Sequence, residues 1–181
     1  MIDFLALVNN RQSDRKYLDT PVEEEKLRRC LEAARLAPSA CNSQPWKFIV
    51  VNDAGLRDSL AGLTTSGRLV PLNHFTRQAP VLVVLVMEQP NLTSRFGEAV
   101  KNKKYTLMDV GIAASHFCLQ AASDGLGTCM IGWFDESGVS KLLNIPSGKR
   151  PMLIIALGYP AGKKRQKKRK DPDRIVSYNT Y

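Results

Sequence analysis

The 181-residue chain has only two histidines, His74 and His116, and four cysteines, Cys30, Cys41, Cys118 and Cys129, none in a Cys-x-x-Cys pair or at a metal-ligand spacing. Scattered cysteines of this kind predict reduced, mostly buried thiols, and exclude a disulfide framework and a zinc site from the expected architecture. No run of eighteen apolar residues occurs, and the apolar stretch ahead of Val8 is broken by Asp3. Neither a membrane span nor a signal peptide is therefore expected, and a cytoplasmic location is. A Gly-x-Ser-x-Gly elbow and a Gly-Lys-Ser/Thr phosphate loop are both missing, which removes the usual support for serine hydrolase and NTPase chemistry. Gly125-Leu126-Gly127 sits at the end of a predicted helix and leads into a strand. A dinucleotide fingerprint needs the reverse order, so a Rossmann reading fails.

Positive charge is what the chain has in excess. Most of the net +9 is local: between Ala161 and Arg174 lie Lys163, Lys164, Arg165, Lys167, Lys168, Arg169, Lys170 and Arg174, against Asp171 and Asp173. That surplus of six leaves only +3 for the remainder of the chain. A run of this kind is either a solvated tail or a counter-charge for a bound anion. It also motivates a rival from another class, a basic module for nucleic acid or an acidic partner, whose affinity would fall steeply with salt.

The length suits one domain, with residues 1–160 as its body and 161–181 as a basic, extended C-terminal arm of the same domain. Thr20-Pro21-Val22-Glu23 has the form of a capping box with proline at the first helical position, and Leu27, Leu31 and Ala34 follow at helical spacing until Pro38. Lys47–Asn52, Gly127–Gly132 and Met152–Leu157 read as strands, with Pro80–Met87 apolar on both faces and so central in the sheet. Leu56–Leu63 and Ser137–Leu143 read as short helices. Tyr105–Asp124, closed by Gly125, reads as a long helix apolar nearly all round, which predicts burial on all sides, by this fold or by a second subunit. Helices mixed with a few buried strands give an α+β class.

Two stretches carry candidate chemistry. Arg11-Gln12-Ser13-Asp14-Arg15 offers two guanidinium groups, an amide and a hydroxyl within five residues, a donor set suited to a phosphate and a polyol chain, although charged turns also occur with no ligand at all. Ala37–Trp46 joins the first predicted helix to a strand, and its Ser39, Asn42 and Gln44 bring adaptable hydrogen-bonding groups onto a backbone stiffened by Pro38 and Pro45.

On these residues the sequence resembles the nitroreductase-like flavoproteins. The likeness rests on Arg11-x-Ser13-x-Arg15, on Pro21-Val22 with Leu27, and on Ala33 through Trp46. It continues through Asp109-x-Gly111-x-Ala113, Gly125-Leu126-Gly127-Thr128-Cys129-x-Ile131-Gly132 and Ala156-Leu157-Gly158-Tyr159-Pro160. The resemblance implies a three-layer sandwich, a mostly antiparallel central sheet flanked by helices, with the long helix at a homodimer interface. It implies FMN as cofactor, NADH or NADPH as electron donor, and a small flat acceptor such as a nitroaromatic or quinone, with neither nucleic acid nor membrane as partner. Carried over by position, Arg11, Gln12, Ser13 and Arg15 hold the phosphate and ribityl chain, and Lys168 and Arg169 of the arm add cations. Pro38, Ser39, Ala40, Asn42 and Gln44 approach the ring from the partner subunit. Met130, Ile131 and Gly132 offer backbone groups at its reactive edge. No catalytic side chain is implied, because the flavin carries the chemistry. Reductive dehalogenation and flavin breakdown occur in the same superfamily and stay open as alternatives.

Overall fold

A computed structural model describes residues 3–65 and 72–181. In chain order the elements are α1 (Phe4–Asn10), α2 (Glu24–Arg35), β1 (Trp46–Val51), α3 (Ala54–Thr64), β2 (Val81–Met87), α4 (Leu92–Lys101), α5 (Tyr105–Ser123), β3 (Gly127–Ile131), α6 (Glu136–Leu142) and β4 (Arg150–Gly158). The strands form one antiparallel sheet in the order β1-β2-β4-β3. The unbroken apolar sequence of β2 has its cause here, since helices cover both faces of the sheet. Val81, Val83 and Leu85 of β2, with Ile155 and Leu157 of β4, pack against Leu27, Cys30 and Ala34 of α2 and Val110, Ala114 and Phe117 of α5. Leu82, Val84 and Val86, with Ile154 and Ala156, pack against Leu60 and Ala61 of α3 and Val139 of α6. The result is the expected α+β sandwich of three layers. No helix among the described residues is long and apolar enough to cross a membrane.

Two expectations change. The helix after Pro21 starts later than the capping-box reading has it, at Glu24, with Glu23 at the cap position and making no side-chain cap. The Glu23 carboxylate is engaged elsewhere: it accepts the Tyr159 hydroxyl at 2.7 Å and the Lys26 ammonium at 3.2 Å, and these partners lower its pKa to about 2. Tertiary contact thus overrides a local cap. The long helix α5 ends as expected, with Gly125 at φ +77° and N–H groups of Leu126 and Gly125 returning to Ala121 O and Ala122 O. Within one chain, however, it is buried on one side only. Thr106, Asp109, Val110, Ala113, Ala114 and Phe117 face the sheet and α2, while Leu107, Met108 and Ile112 are left open. A helix over Leu92–Lys101, with Asn91 capping the Ser94 N–H at 2.9 Å, is an addition to the expected elements; Leu92, Phe96 and Val100 recur at helical spacing, but that apolar side faces outward rather than into the core.

Candidate functional site

β3 is an edge strand, and an unpaired edge invites a partner. The stretch after α1 supplies one. Ser13 bridges Thr128 in parallel, and the Asp14 N–H donates to Thr128 O at 2.8 Å. Tyr17 fastens the other end, bridging Pro160, while its buried hydroxyl donates to Asp14 O at 2.8 Å; burial drives the pKa of that hydroxyl upward, so it stays a donor. Asp14 is buried over Gly127, where an added Cβ would lie 2.7 Å from Asp14 Oδ2, so the close approach requires glycine.

The C-terminal arm then returns alongside. Ala161 N–H donates to Lys16 O at 3.0 Å, Arg165 N–H donates to Gln12 Oε1 at 3.0 Å, and the Arg165 guanidinium donates to Ser13 O. Gln12 also donates to Asp14 Oδ1 at 2.7 Å, which makes it a strut between the edge segment and the arm. Lys164 reaches Asn10 Oδ1, and Lys167 reaches Val8 O.

Between these two passes of chain lies a cavity of about 330 Å³ lined by Arg11, Gln12, Ser13, Arg15, Arg165, Gln166, Lys167, Lys168 and Arg169. Six of these residues are cationic and none is a carboxylate. No ion pair to Arg11, Arg15, Lys168 or Arg169 occurs among the described residues. The crowding is felt: the Lys167 pKa is held below its ordinary value, first by burial and then by the neighbouring Arg11 and Arg169 guanidinium groups. Uncompensated like charges around a concave surface are electrostatically suited to an anion. A second cavity of about 880 Å³ continues the basic surface past α1, with Asn9, Asn10, Ser123, Lys164, Arg165 and Lys167 in its wall and Asp3 the one carboxylate.

The connector Pro38–Trp46 is built differently. Cys41, Asn42 and Gln44 hold φ values of +51°, +49° and +47°, three left-handed non-glycine residues within four positions. Such conformations cost on the order of 1 kcal/mol or more apiece, least for asparagine, and persist where surrounding bonds hold them. The bonds are present. Ser39 Oγ accepts the Gln44 N–H at 2.9 Å, Gln44 Nε2 donates to Asn42 Oδ1 at 3.1 Å, and Ser43 Oγ accepts the Asn91 N–H at 2.8 Å. Asp109 of α5 accepts the Ala40 N–H at 3.1 Å. Pro38, Asn42 and Gln44 are exposed, on a loop that meets nothing on its open side within one chain.

The third expected group lies at the end of β3. Met130 is 39 % exposed, Ile131 turns its side chain into the layer of α3 and α6, and Gly132 is open, so Ile131 has only backbone to offer a ligand. The structure therefore brings Arg11, Gln12, Ser13, Arg15, Lys168 and Arg169 around one cavity and puts Pro38, Ser39, Ala40, Asn42 and Gln44 outside it. Arg165 and Lys167, among the arm's basic residues but not assigned to the site from the sequence, enter the same cavity, and Asp14, between two assigned residues, had no role assigned from the sequence. Asp109 had none either, although an acid in an otherwise apolar helix is itself a signal.

Residues 8–159 match the model of the Nitroreductase family. An iodotyrosine deiodinase of Thermotoga neapolitana is 30% identical over 188 residues, covering 97% of this chain and 97% of that protein. An oxygen-insensitive NADPH nitroreductase of Helicobacter pylori is 28% identical over 191 residues, covering 91% of this chain and 90% of that one. Among solved structures, an FMN-dependent nitroreductase of Clostridium difficile superposes with a TM-score of 0.77 at 29% identity, over 98% of this chain and 99% of that chain.

Proposed function

The chain belongs to the nitroreductase family, and on that premise we propose that it is a homodimeric FMN-dependent oxidoreductase, using NADH or NADPH to reduce a flat, electron-poor acceptor such as a nitroaromatic or a quinone. The observation that carries this reading is the cavity of six cationic residues without a carboxylate between Arg11–Arg15 and the arm.

The residues there fit the phosphate end of FMN. Arg11, Arg15, Lys168 and Arg169 would hold the dianion, each charge-assisted hydrogen bond contributing about 1.5–3 kcal/mol. Ser13 would meet the ribityl chain, while Gln12 keeps the arm in place through its bonds to Asp14 and Arg165. The backbone of Met130–Gly132, at the end of β3, would offer hydrogen-bonding groups to the ring. The chemistry FMN supplies when bound is acceptance of a hydride from the reduced nicotinamide and its delivery to the acceptor. The side chains bind and orient; none is assigned a proton to move.

One feature supports a dimer. Apolar residues of α5 (Leu107, Met108, Ile112) and of α1 (Phe4, Leu5) are among those left open. In this arrangement Pro38, Ser39, Ala40, Asn42 and Gln44 of one subunit face the ring held by the other, which accounts for a polar, well-braced loop with an open side.

The protein purified from cells is expected to be yellow, with oxidised-flavin absorption that bleaches on adding NADH or NADPH. A colourless preparation that neither binds added FMN nor oxidises a reduced nicotinamide refutes the reading. The likeness to an iodotyrosine deiodinase supports one second reading, removal of halogen from an aromatic ring. Turnover compared across nitro, quinone and iodophenol acceptors separates the two.

A further inference from the structure

We propose that Asp109 is a positioning residue, a clamp from α5 that fixes the loop Ser39–Gln44 in the geometry needed to meet the flavin ring; the proposal rests on the reading of that loop as the ring-facing half of the site. Asp109 stands in the middle of the buried side of α5, among Val110, Ala113 and Ala114, and is 4 % exposed. One oxygen, Oδ1, accepts the Ala40 N–H at 3.1 Å. The other, Oδ2, is buried and has no hydrogen-bond partner among the described residues. A carboxylate in such a layer is costly, and a small apolar side chain would pack there with no polar group to satisfy. What the carboxylate supplies that an apolar side chain cannot is a hold on the backbone just ahead of Cys41, Asn42 and Gln44, the three left-handed residues.

The other ties run elsewhere. Ser39 to Gln44 closes the loop on itself, and Ser43 and Cys41 O tie it to Asn91 at the start of α4. Asp109 joins it to the helix whose opposite face, Leu107, Met108 and Ile112, is the proposed subunit contact. The unused oxygen keeps capacity for one more donor when the loop seats.

The test compares Asp109→Ala with Asp109→Asn, which retains an acceptor for the Ala40 N–H. In FMN-free protein, hydrogen exchange of the peptide 38–46 should be about tenfold faster in Asp109→Ala and near wild type in Asp109→Asn. In FMN-loaded protein, Asp109→Ala should alter the visible circular dichroism of the flavin and raise KM for the nicotinamide about tenfold, with FMN affinity within about threefold of wild type. Asp109→Asn should restore both. Unchanged exchange in Asp109→Ala, equal damage by both variants, or fast exchange spread along α5 each overturns the clamp. Should Asp109→Ala fail to fold, Ala40→Pro removes the same hydrogen bond from the loop side, at a position just after the extended Ser39. Wild-type protein that never takes up FMN refutes the functional reading alone, and the exchange data on FMN-free protein then still decide on the clamp.

Discussion

The corner at Arg11–Arg15 and the loop at Pro38–Gln44 have opposite characters. The corner is pinned to the sheet edge by Thr128, closed over by the arm, and in excess of positive charge. The loop is close to neutral, internally hydrogen-bonded, strained at three residues and open to solvent. A pocket that a single chain completes can be pinned and charged in advance, because the anion it awaits brings the missing charge. A surface that meets a ligand held by another subunit must keep its shape without that ligand, so its polar groups brace one another. On the proposed reading of a site divided between subunits, this difference predicts that substitutions on the two sides fail in different ways.

The largest effect should come from the corner. Arg15→Ala is expected to weaken FMN binding about ten- to a hundredfold, the loss of one charge-assisted contact to a phosphate. Gln44→Ala should leave affinity within about threefold and act on KM for nicotinamide and acceptor instead. Fluorescence titration of FMN into stripped protein, paired with steady-state kinetics, measures both. Equal losses of affinity would erase the distinction between holding the phosphate and facing the ring.

Gly127→Ala probes the same corner through the backbone. Its Cβ would meet Asp14 Oδ2 at 2.7 Å and Cγ at 2.9 Å, forcing the edge segment off β3 or the strand out of register with β4. A loss of about 1–3 kcal/mol in urea unfolding is expected, as for overpacking elsewhere. FMN affinity should fall with it while exchange over 38–46 stays as in wild type. A variant as stable as wild type, with normal affinity, would mean that Asp14 is free to move and that the corner is less rigid than its bonds suggest.

Most of the body was legible in the sequence, for a reason visible in the two cores. A strand such as Val81–Met87 sandwiched between helices has no polar side, so its sequence is a continuous apolar run, and α5 is closed by a glycine in the left-handed conformation that other residues adopt only at a cost. What escaped reading depends on contacts distant in sequence. The Glu23 carboxylate accepts from Tyr159, 136 residues away, instead of capping the helix it precedes. At the site, the guanidinium groups were identifiable by type. The register of the arm was not, since basic residues occupy nearly every position, and only the fold selects Arg165 and Lys167 alongside Lys168 and Arg169. The roles of Asp14 and Asp109 are likewise set by a glycine and an amide that lie far away in the sequence.

The smallest expected effect separates the regions by pH. Cys118 lies on α5 behind the corner, and burial pushes its thiol up to about 11, with Thr128 and Arg11 pulling the other way. An unfolded chain ionises this thiol near 9, whereas the folded chain holds its proton for about two more units. Its contribution to stability is therefore intact below pH 9 and is lost as pH rises from 9 through 11. At pH 10 the loss should be about 1 kcal/mol, read as a lower urea midpoint. Cys118→Ala, at the cost of a small cavity at all pH values, should flatten the part of the alkaline decline that this thiol causes. Because the folded chain keeps this thiol protonated until pH nears 11, FMN affinity should respond to it only above that window, and exchange of Ala40 beyond its intrinsic pH dependence should not respond at all. A decline in loop protection over the same range would join the two regions into one cooperative unit and break the division between them.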